Sequence, residues 1–160
     1  MNSVSILIVD DQDAVRRAVR LLLSSRRDWF VCGEATDGLE AVEKTRSLKP
    51  NIVLMDISMP RMDGLAATKI LGHEVPESRV IIISQNDSVV GSRQAAEVHA
   101  SGYVAKADLA RDLLPAIDWL IGHQREERHM HTKEAKSALA GSSTQPLREA
   151  PAGRSARSES

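Results

Sequence analysis

The sequence predicts an α/β protein in which a doubly wound parallel sheet of five strands is covered by five helices. Short apolar runs, many of them β-branched, alternate with longer segments of helical periodicity over the first 121 of its 160 residues. Runs that are apolar at nearly every position are typical of strands buried on both faces. Because parallel strands need crossover connections, the helical segments between the runs complete the prediction.

The individual elements follow from the same two patterns. Apolar runs predict strands over residues 4–9, 29–32, 52–55, 80–83 and 102–105. Apolar residues at helical spacing predict helices over residues 13–25, 38–48, 65–71, 88–100 and 109–121. Pro50 ends the second helix, and Pro115 is expected to kink or restart the fifth, because proline removes a backbone hydrogen bond.

Length and composition limit the classes of function. A chain of 160 residues has room for one ordinary domain, and a hydrophobic fraction of 42% is enough for a core. The net charge of −1 argues against a general binder of nucleic acid or membrane surfaces, which is usually strongly basic. The single cysteine, Cys32, excludes an internal disulfide and suggests a reducing compartment. With no apolar run of membrane-spanning length and no signal-like N-terminus, we expect a cytoplasmic protein.

The character of the sequence changes after Gly122. Residues 123–140 are polar and charged, and residues 141–160 are rich in Ser, Ala, Arg, Gly and Pro. We expect residues 123–160 to be a polar, disordered tail, although whether residues 123–140 extend the fifth helix is left open. The tail is too short and too polar for a helix-turn-helix domain. Its basic residues are interspersed with acids, so nucleic-acid binding is not expected.

Chemically active side chains follow four of the five predicted strands. Asp10 and Asp11 follow the first strand, Asp56 the third, Ser84 the fourth and Lys106 the fifth. In an open parallel sheet, ligands bind beyond the carboxyl ends of the strands. We therefore expect three acids, a hydroxyl and an amine to converge at one edge of the sheet.

Three carboxylates at one edge repel one another, since all are normally ionised at neutral pH. A hard divalent cation with oxygen ligands would offset that charge, and Mg²⁺ is the natural candidate. Lys106 adds a positive charge that can pair with a carboxylate or with a phosphoryl oxygen. Ser84 can donate a hydrogen bond to the same group.

Each of these residues taken alone has a simpler interpretation. Asp10 and Asp11 could cap the first helix, where acids are favoured. Asp56 could be a turn residue, as aspartate commonly is, and Lys106 a solvated surface lysine. Ser84 could be an ordinary hydroxyl at a strand end. The placement of the whole set at strand ends on one edge favours a common site.

Six short motifs follow one another along the chain: ILIVDD at residues 6–11, GEA at 33–35, DG at 37–38, VLMDISMP at 53–60, MDG at 62–64 and GYVAK at 102–106. In this order they resemble the receiver domains of two-component response regulators, the CheY-like family, and most of all those of the NarL/FixJ class. Residues 1–122 are therefore expected to form a receiver domain. The resemblance implies a flavodoxin-like sheet with strand order 2-1-3-4-5.

The resemblance also implies a role for each matching residue. Asp56 would accept a phosphoryl group, and Asp10, Asp11, Asp56 and the backbone carbonyl of Ser58 would hold Mg²⁺. The phosphoryl group would come from a sensor histidine kinase or a phosphotransfer protein. The protein would not be an enzyme in the usual sense, since it would catalyse only its own phosphorylation and dephosphorylation.

The remaining residues belong to the implied switch. Ser84 and Lys106 would contact the phosphoryl group, and Tyr103 would change rotamer on activation. The alternative for Tyr103 is a half-buried strand residue with its hydroxyl in water. Two positions depart from the commonest receiver pattern. Ala107 stands where proline often follows the lysine, so a cis bond there would cost ~3–4 kcal/mol. Gln85 is bulkier than the usual small residue and could narrow access to the site.

Three hypotheses about function follow. The first is a stand-alone receiver that switches a protein-interaction surface, with an unknown downstream partner or a homodimer as its output. The second is a transcription regulator of the NarL/FixJ class with a missing or degenerate DNA-binding domain. The third is a phosphohydrolase using Asp56, although Asp56 does not begin the Asp-x-Asp nucleophile pattern, since Ser58 stands where the second aspartate would be. In the first two, Ser58 and Asn86 are expected to tune the lifetime of the phosphoryl group.

Overall fold

Five parallel strands form one sheet in the order β2-β1-β3-β4-β5 in a computed structural model, which describes residues 2–140 apart from the side chain of Ser88. The strands are β1 (Val4–Val9), β2 (Trp29–Ala35), β3 (Ile52–Asp56), β4 (Arg79–Ser84) and β5 (Gly102–Ala105). The helices are α1 (Asp13–Leu23), α2 (Gly38–Leu48), α3 (Gly64–Glu74), α4 (Ser88–Glu97) and α5 (Leu109–Ala140). The predicted fold class and strand order are confirmed.

Alternate residues of the central strands face two separate apolar layers. Ile6 and Ile8 of β1 pack with buried residues of α1 and α5, whereas Leu7 and Val9 pack with buried residues of α2 and α3. All five residues of β3 are buried. Strands covered on both faces explain why these runs are apolar at nearly every position.

Aspartates begin the three helices that follow β2, β3 and β4. Asp37 accepts a hydrogen bond from the Glu40 amide at 2.9 Å. Asp63 accepts one from the Ala66 amide at 2.8 Å. The carboxylate of Asp87 accepts from two amides of the first turn of α4. Such side-chain caps satisfy amides that have no partner within the helix, and they define where each loop at this edge of the sheet ends.

Helix α5 is continuous through Pro115, so the fifth helix does not restart there. Leu113, Ile117 and Leu120 are buried, and this packing outweighs the hydrogen bond that the proline removes. The helix also continues to Ala140, so residues 123–140, for which extension of the helix was left open, are helical rather than disordered. The Glu, Lys, Arg and Ala residues of that segment favour a helix even without an apolar stripe.

Within the described residues, the chain divides into two units between Gln124 and Arg125. The second unit is helical as far as Ala140, and the expectation of disorder for residues 141–160 lies outside the described residues. Within residues 2–140, none of the helices has both the length and the apolar character that a membrane span requires.

Gly64 lies where the backbone of α3 approaches the end of β3. Its amide donates to the Ile57 carbonyl oxygen at 2.8 Å, and a Cβ atom at this position would lie 1.8 Å from the Asp56 carbonyl oxygen. No side chain fits this separation, so only glycine allows α3 to begin here. Gly72, in the same helix, would have no heavy atom within 4 Å of an added Cβ.

We expect Gly64→Ala to lower the free energy of unfolding by about 3 kcal/mol, because the backbone must move to accept the methyl group. Gly72→Ala should instead raise it by about 0.5–1 kcal/mol, since alanine loses less entropy in a helix. Urea unfolding followed by circular dichroism measures both. Equal stability of Gly64→Ala and the unsubstituted protein would contradict the close approach.

Candidate functional site

Three carboxylates meet at the carboxyl ends of β1 and β3. These strands are neighbours, with Val9 paired to Met55, so Asp10 and Asp56 emerge side by side. Oxygen atoms of Asp10, Asp11 and Asp56 all lie within 4.8 Å of one another. Asp10 and Asp56 are 2% and 5% exposed, whereas Asp11 is open to solvent. The site is therefore a partly buried acidic cluster with one exposed side.

Lys106 reaches this cluster from the far side of β4. Its Nζ lies 2.8 Å from Asp10 Oδ2 and 3.3 Å from Asp56 Oδ1, and the side chain is 10% exposed. The lysine is therefore not a solvated surface residue, and it bridges two of the three carboxylates. A single positive charge cannot neutralise three negative ones, which leaves the cluster with an excess of negative charge.

Burial and charge shift the proton affinities of this group. Burial, together with the negative charge of Asp10, raises the pKa of Asp56 to about 6, although Lys106 opposes the increase. Burial also acts to lower the pKa of Lys106. The hydrogen bond to Asp10 and the charge of Asp56 outweigh that effect, so the lysine pKa lies above its usual value. The lysine is thus held in its charged form beside a carboxylate that is costly to ionise.

The donor set suits a small hard cation. Mg²⁺ prefers oxygen ligands, usually one or two carboxylates together with waters or phosphate oxygens. The separation of at most 4.8 Å among the three carboxylate oxygens is compatible with ligands around one ion, and the excess negative charge favours it. Ser58 lies exposed on the loop two residues beyond Asp56, and the role of its carbonyl stays a prediction.

The capping interpretation of the first acids does not describe the structure. The N-cap of α1 is Gln12, which makes no side-chain capping hydrogen bond. Asp10 instead accepts from the Gln12 amide at 2.8 Å, and Asp13 in the first turn pairs with Arg16 and Arg17. The turn after β1 is thus organised by Asp10, which aims its other oxygen at Lys106.

Ser84 and Tyr103 are joined through the backbone of Asn86. The buried Ser84 hydroxyl accepts a hydrogen bond from the Asn86 amide at 3.1 Å. The Tyr103 hydroxyl donates to the Asn86 carbonyl oxygen at 3.0 Å, and its ring lies where a Cβ of Gly91 would be. Tyr103 is half-buried, and its hydroxyl is also bound to the protein backbone. A displacement of Ser84 could reach Tyr103 through the backbone of this single residue.

The structure describes both positions that depart from the commonest receiver pattern. The Lys106–Ala107 bond is trans, as is every peptide bond among residues 2–140, and Lys106–Asp108 forms a short 3₁₀ turn that leads into α5. The side chain of Gln85 is exposed, and its effect on access stays a prediction.

Comparison with known proteins identifies the family that has this fold and this cluster of acids. The family model for the response regulator receiver domain matches residues 6–118. The chain belongs to the response regulator receiver family. The resemblance seen in the sequence is thereby confirmed.

Relatives of this receiver include regulators and one class of enzyme. It is 38% identical over 114 residues to the transcriptional regulatory protein LnrK of Bacillus subtilis, covering 71% of this chain and 52% of that protein. It is 32% identical to the response regulator GacA of Pseudomonas viridiflava, covering 76% of this chain and 57% of that protein. It is 40% identical to a protein-glutamate methylesterase/protein-glutamine glutaminase of Methanosarcina acetivorans, covering 72% of this chain and 33% of that protein. The chain therefore spans about half, or less, of these relatives.

Solved structures show the same fold. The response regulator domain of Thermotoga maritima CheB has a TM-score of 0.69 and 30% identity, covering 75% of this chain and 97% of that one. A LuxR-family response regulator from Aurantimonas has a TM-score of 0.70 and 33% identity, covering 75% and 86%. The receiver domain of NarL from Mycobacterium tuberculosis has a TM-score of 0.66 and 29% identity, covering 76% and 99%.

The sequence predicted the acids and the lysine of this receiver, but it assigned no role to three of the residues that organise its loops. Asp37 and Arg61 pair across two loops, and Gly91 makes room for Tyr103. The DG motif ahead of α2 is a helix-start signal that could have drawn attention to Asp37. Arg61 and Gly91 carry no such signal, because their contacts join residues distant in the chain.

We expect Asp56→Asn to stabilise the metal-free receiver at pH 7.5 by about 1–2 kcal/mol, allowing for solvent screening. The pKa of Asp56 in the folded protein, about 6, lies above its usual value of 3.8, so folding favours the protonated form. The penalty for ionising it is absent below pH 4, grows between pH 4 and 6, and is complete above that range.

Urea unfolding in EDTA at pH 4 and pH 7.5 measures this difference, with the exposed Glu77→Gln as control. Asparagine at residue 56 should lose its advantage at pH 4, whereas Glu77→Gln should change little at either pH. A stabilisation of equal size at both values would show that charge is not its cause.

Proposed function

We propose that this receiver is a phosphorelay switch, accepting a phosphoryl group on Asp56 from a phosphohistidine of a sensor histidine kinase or phosphotransfer protein. The observation that carries the proposal is the buried Asp56 carboxylate, with Asp10 and Asp11 beside it and the Lys106 ammonium 3.3 Å away. Membership of the receiver family supports the same role. We also propose that the protein works in the cytoplasm, where its kinase partner would present the donor.

The transfer is a nucleophilic substitution at phosphorus. A carboxylate oxygen of Asp56 attacks the phosphorus atom, the bond from phosphorus to the histidine nitrogen breaks, and an acyl phosphate forms. Mg²⁺, held by Asp10, Asp11, Asp56 and the Ser58 carbonyl, would neutralise charge on the phosphoryl oxygens. The charged Lys106 would exchange a carboxylate partner for a phosphoryl oxygen.

The cycle ends when water hydrolyses the acyl phosphate. The receiver would thus turn over only its own phosphoryl group, and we propose no action on an external substrate. The enzymes among its relatives are named for methylesterase and glutaminase activity, but this chain corresponds to only 33% of such a protein. That activity is a property of those proteins and supports no further assignment here.

Switching would start at Ser84. A hydroxyl that turns to donate to the phosphoryl group would give up the Asn86 amide, shifting the carbonyl on which Tyr103 rests. The surface formed by α4, β5 and α5 would then change. Val89 and Val90 are 67% and 48% exposed on α4, which suits an output through contact with a partner protein or a second copy.

A DNA-binding regulator is the second candidate for the output. It is favoured by the names of relatives such as LnrK, a transcriptional regulatory protein. A DNA-retention assay on this chain in its phosphorylated form separates the candidates. A receiver acting through protein contact should retain no DNA, whereas retention that depends on phosphorylation would support the regulator.

Phosphorylation itself is tested by intact-mass spectrometry after incubation with Mg²⁺ and a small phosphodonor. We expect one phosphoryl adduct that is labile to base and lost in EDTA or in Asp56→Ala. Lys106→Met should slow its formation, since it removes the positive charge beside the nucleophile. Glu77→Ala should behave as the unsubstituted protein. The absence of any adduct with the donor in excess would count against the proposal.

The lifetime of the adduct should depend on Ser58 and Asn86, which lie two residues beyond Asp56 and Ser84. We expect substitution of both to change the dephosphorylation rate several-fold, because each side chain shapes water access to the phosphoryl group. The decay of the adduct after donor removal measures the rate. An unchanged decay in the double variant would refute this role.

A further inference from the structure

The loop between β3 and α3, residues 57–63, borders the phosphoacceptor and carries Ser58. Two hydrogen bonds of 2.8 Å are local to this loop: the Gly64 amide donates to the Ile57 carbonyl oxygen across its ends, and the Met62 amide donates to the Pro60 carbonyl oxygen around Arg61. In the middle of the loop, Arg61 and Met62 contact a different part of the chain, the turn between β2 and α2. The contacts to that turn determine where the loop lies relative to Asp56.

The first of these contacts is an ion pair between Arg61 and Asp37. Arg61 Nε donates to Asp37 Oδ2 at 2.8 Å, and a terminal guanidinium nitrogen donates to the same oxygen. The other oxygen of Asp37 caps α2 by accepting from the Glu40 amide. The Asp37 side chain is only 2% exposed, whereas that of Arg61 is 67% exposed. Both oxygens of this buried carboxylate thus accept hydrogen bonds, one from the β3–α3 loop and the other from the first turn of α2.

The second contact lies directly beside the first. The Gly38 amide donates to the Met62 carbonyl oxygen at 3.0 Å, and a Cβ at Gly38 would lie 2.6 Å from that oxygen. Two consecutive loop residues are therefore attached to two consecutive residues of the β2–α2 turn. This arrangement leaves little freedom for the loop at that point.

The backbone of Arg61 is held in an uncommon conformation at the point where the loop meets the β2–α2 turn. Its φ is 64°, in the left-handed region that residues with a Cβ seldom adopt. The hydrogen bond from the Met62 amide to the Pro60 carbonyl oxygen closes a tight turn around Arg61, and such a turn persists where surrounding contacts support it. The ion pair to Asp37 is one of those contacts, so its loss would let the turn relax and move the residues between it and Asp56, including Ser58.

We propose that Asp37 and Arg61 are positioning residues, which hold the β3–α3 loop so that the Ser58 carbonyl can complete a Mg²⁺ site beside Asp56. This inference rests on the proposed function. Mg²⁺ demands nearly ideal octahedral geometry, so a small shift of one ligand weakens binding. Partners of metal ligands in other proteins change metal affinity by about 10–100-fold when removed.

A plain capping role for Asp37 gives different expectations, and Asp37→Asn separates the two. Asparagine caps helices as well as aspartate does, so α2 keeps its cap while the charge pair is lost. Arg61→Gln tests the pair from the exposed side and should fold even if Asp37→Asn does not. The control is Arg46→Gln, which breaks an Arg46–Glu74 pair, 2.8 Å at one contact, between the far ends of α2 and α3.

Two measurements on the full chain test the proposal. Mg²⁺ affinity comes from calorimetric titration, and loop order comes from amide hydrogen exchange of Gly38 and Gly64 in EDTA. We expect Asp37→Asn and Arg61→Gln each to weaken Mg²⁺ binding by about tenfold and to speed both exchanges. The double variant should bind no worse than either single variant. The Arg46→Gln protein should match the unsubstituted protein in both measurements.

Unchanged Mg²⁺ affinity in folded Asp37→Asn and Arg61→Gln would overturn the proposal, as would an equal loss in the Arg46→Gln control. Failure of the proposed function looks different. The unsubstituted protein would then take up no phosphoryl group, while the exchange of Gly38 and Gly64 would still respond to the two substitutions.

Discussion

The ion pairs of Lys106 with Asp10 and Asp56 are the interactions on which the rest of the site depends. Two buried carboxylates next to one another are unfavourable, and the raised pKa of Asp56 reflects that cost. A single lysine, 2.8 Å from one carboxylate and 3.3 Å from the other, reduces the repulsion without removing it. The remaining negative charge makes the site attractive to a divalent cation. The same shared lysine provides a positive charge that a phosphoryl group could use.

This arrangement depends on the strand order. Lys106 follows β5, at the edge of the sheet, while Asp10 follows β1 and Asp56 ends β3 near its centre. The lysine side chain must therefore pass over the end of β4, which is where Ser84 lies. Because Ser84 lies beneath the lysine side chain, we propose that phosphorylation of Asp56 affects α4 through Ser84 and Tyr103. The strand order thus determines the geometry of the site, and the proposed switch would follow from it.

The parts of this structure that the sequence predicted are those determined by local patterns. Apolar runs located all five strands, and strand ends located the acids and the lysine. The end of β2 was missed because Gly33 and Glu34 are poor strand formers, yet the edge position tolerates them. The extension of α5 was left open because its helix formers have no apolar stripe.

Contacts between distant residues were beyond the reach of these patterns. Asp37 and Arg61 are 24 positions apart, and each residue type is ordinary in a turn. Gly91 is needed only because the ring of Tyr103, from the neighbouring strand β5, occupies the space that a Cβ would fill. Both features become visible only once the sheet has brought the loops together, and both concern how the site is positioned rather than which residues form it.

The central claim is that the phosphoryl group resides on Asp56. Borohydride reduction of the phosphorylated receiver, followed by peptide mapping, tests it most directly, because reduction of an acyl phosphate marks the acceptor permanently. Our account predicts a single reduced residue at Asp56. Reduction at Asp10 or Asp11, or a phosphoryl group carried by a residue other than aspartate, would contradict it.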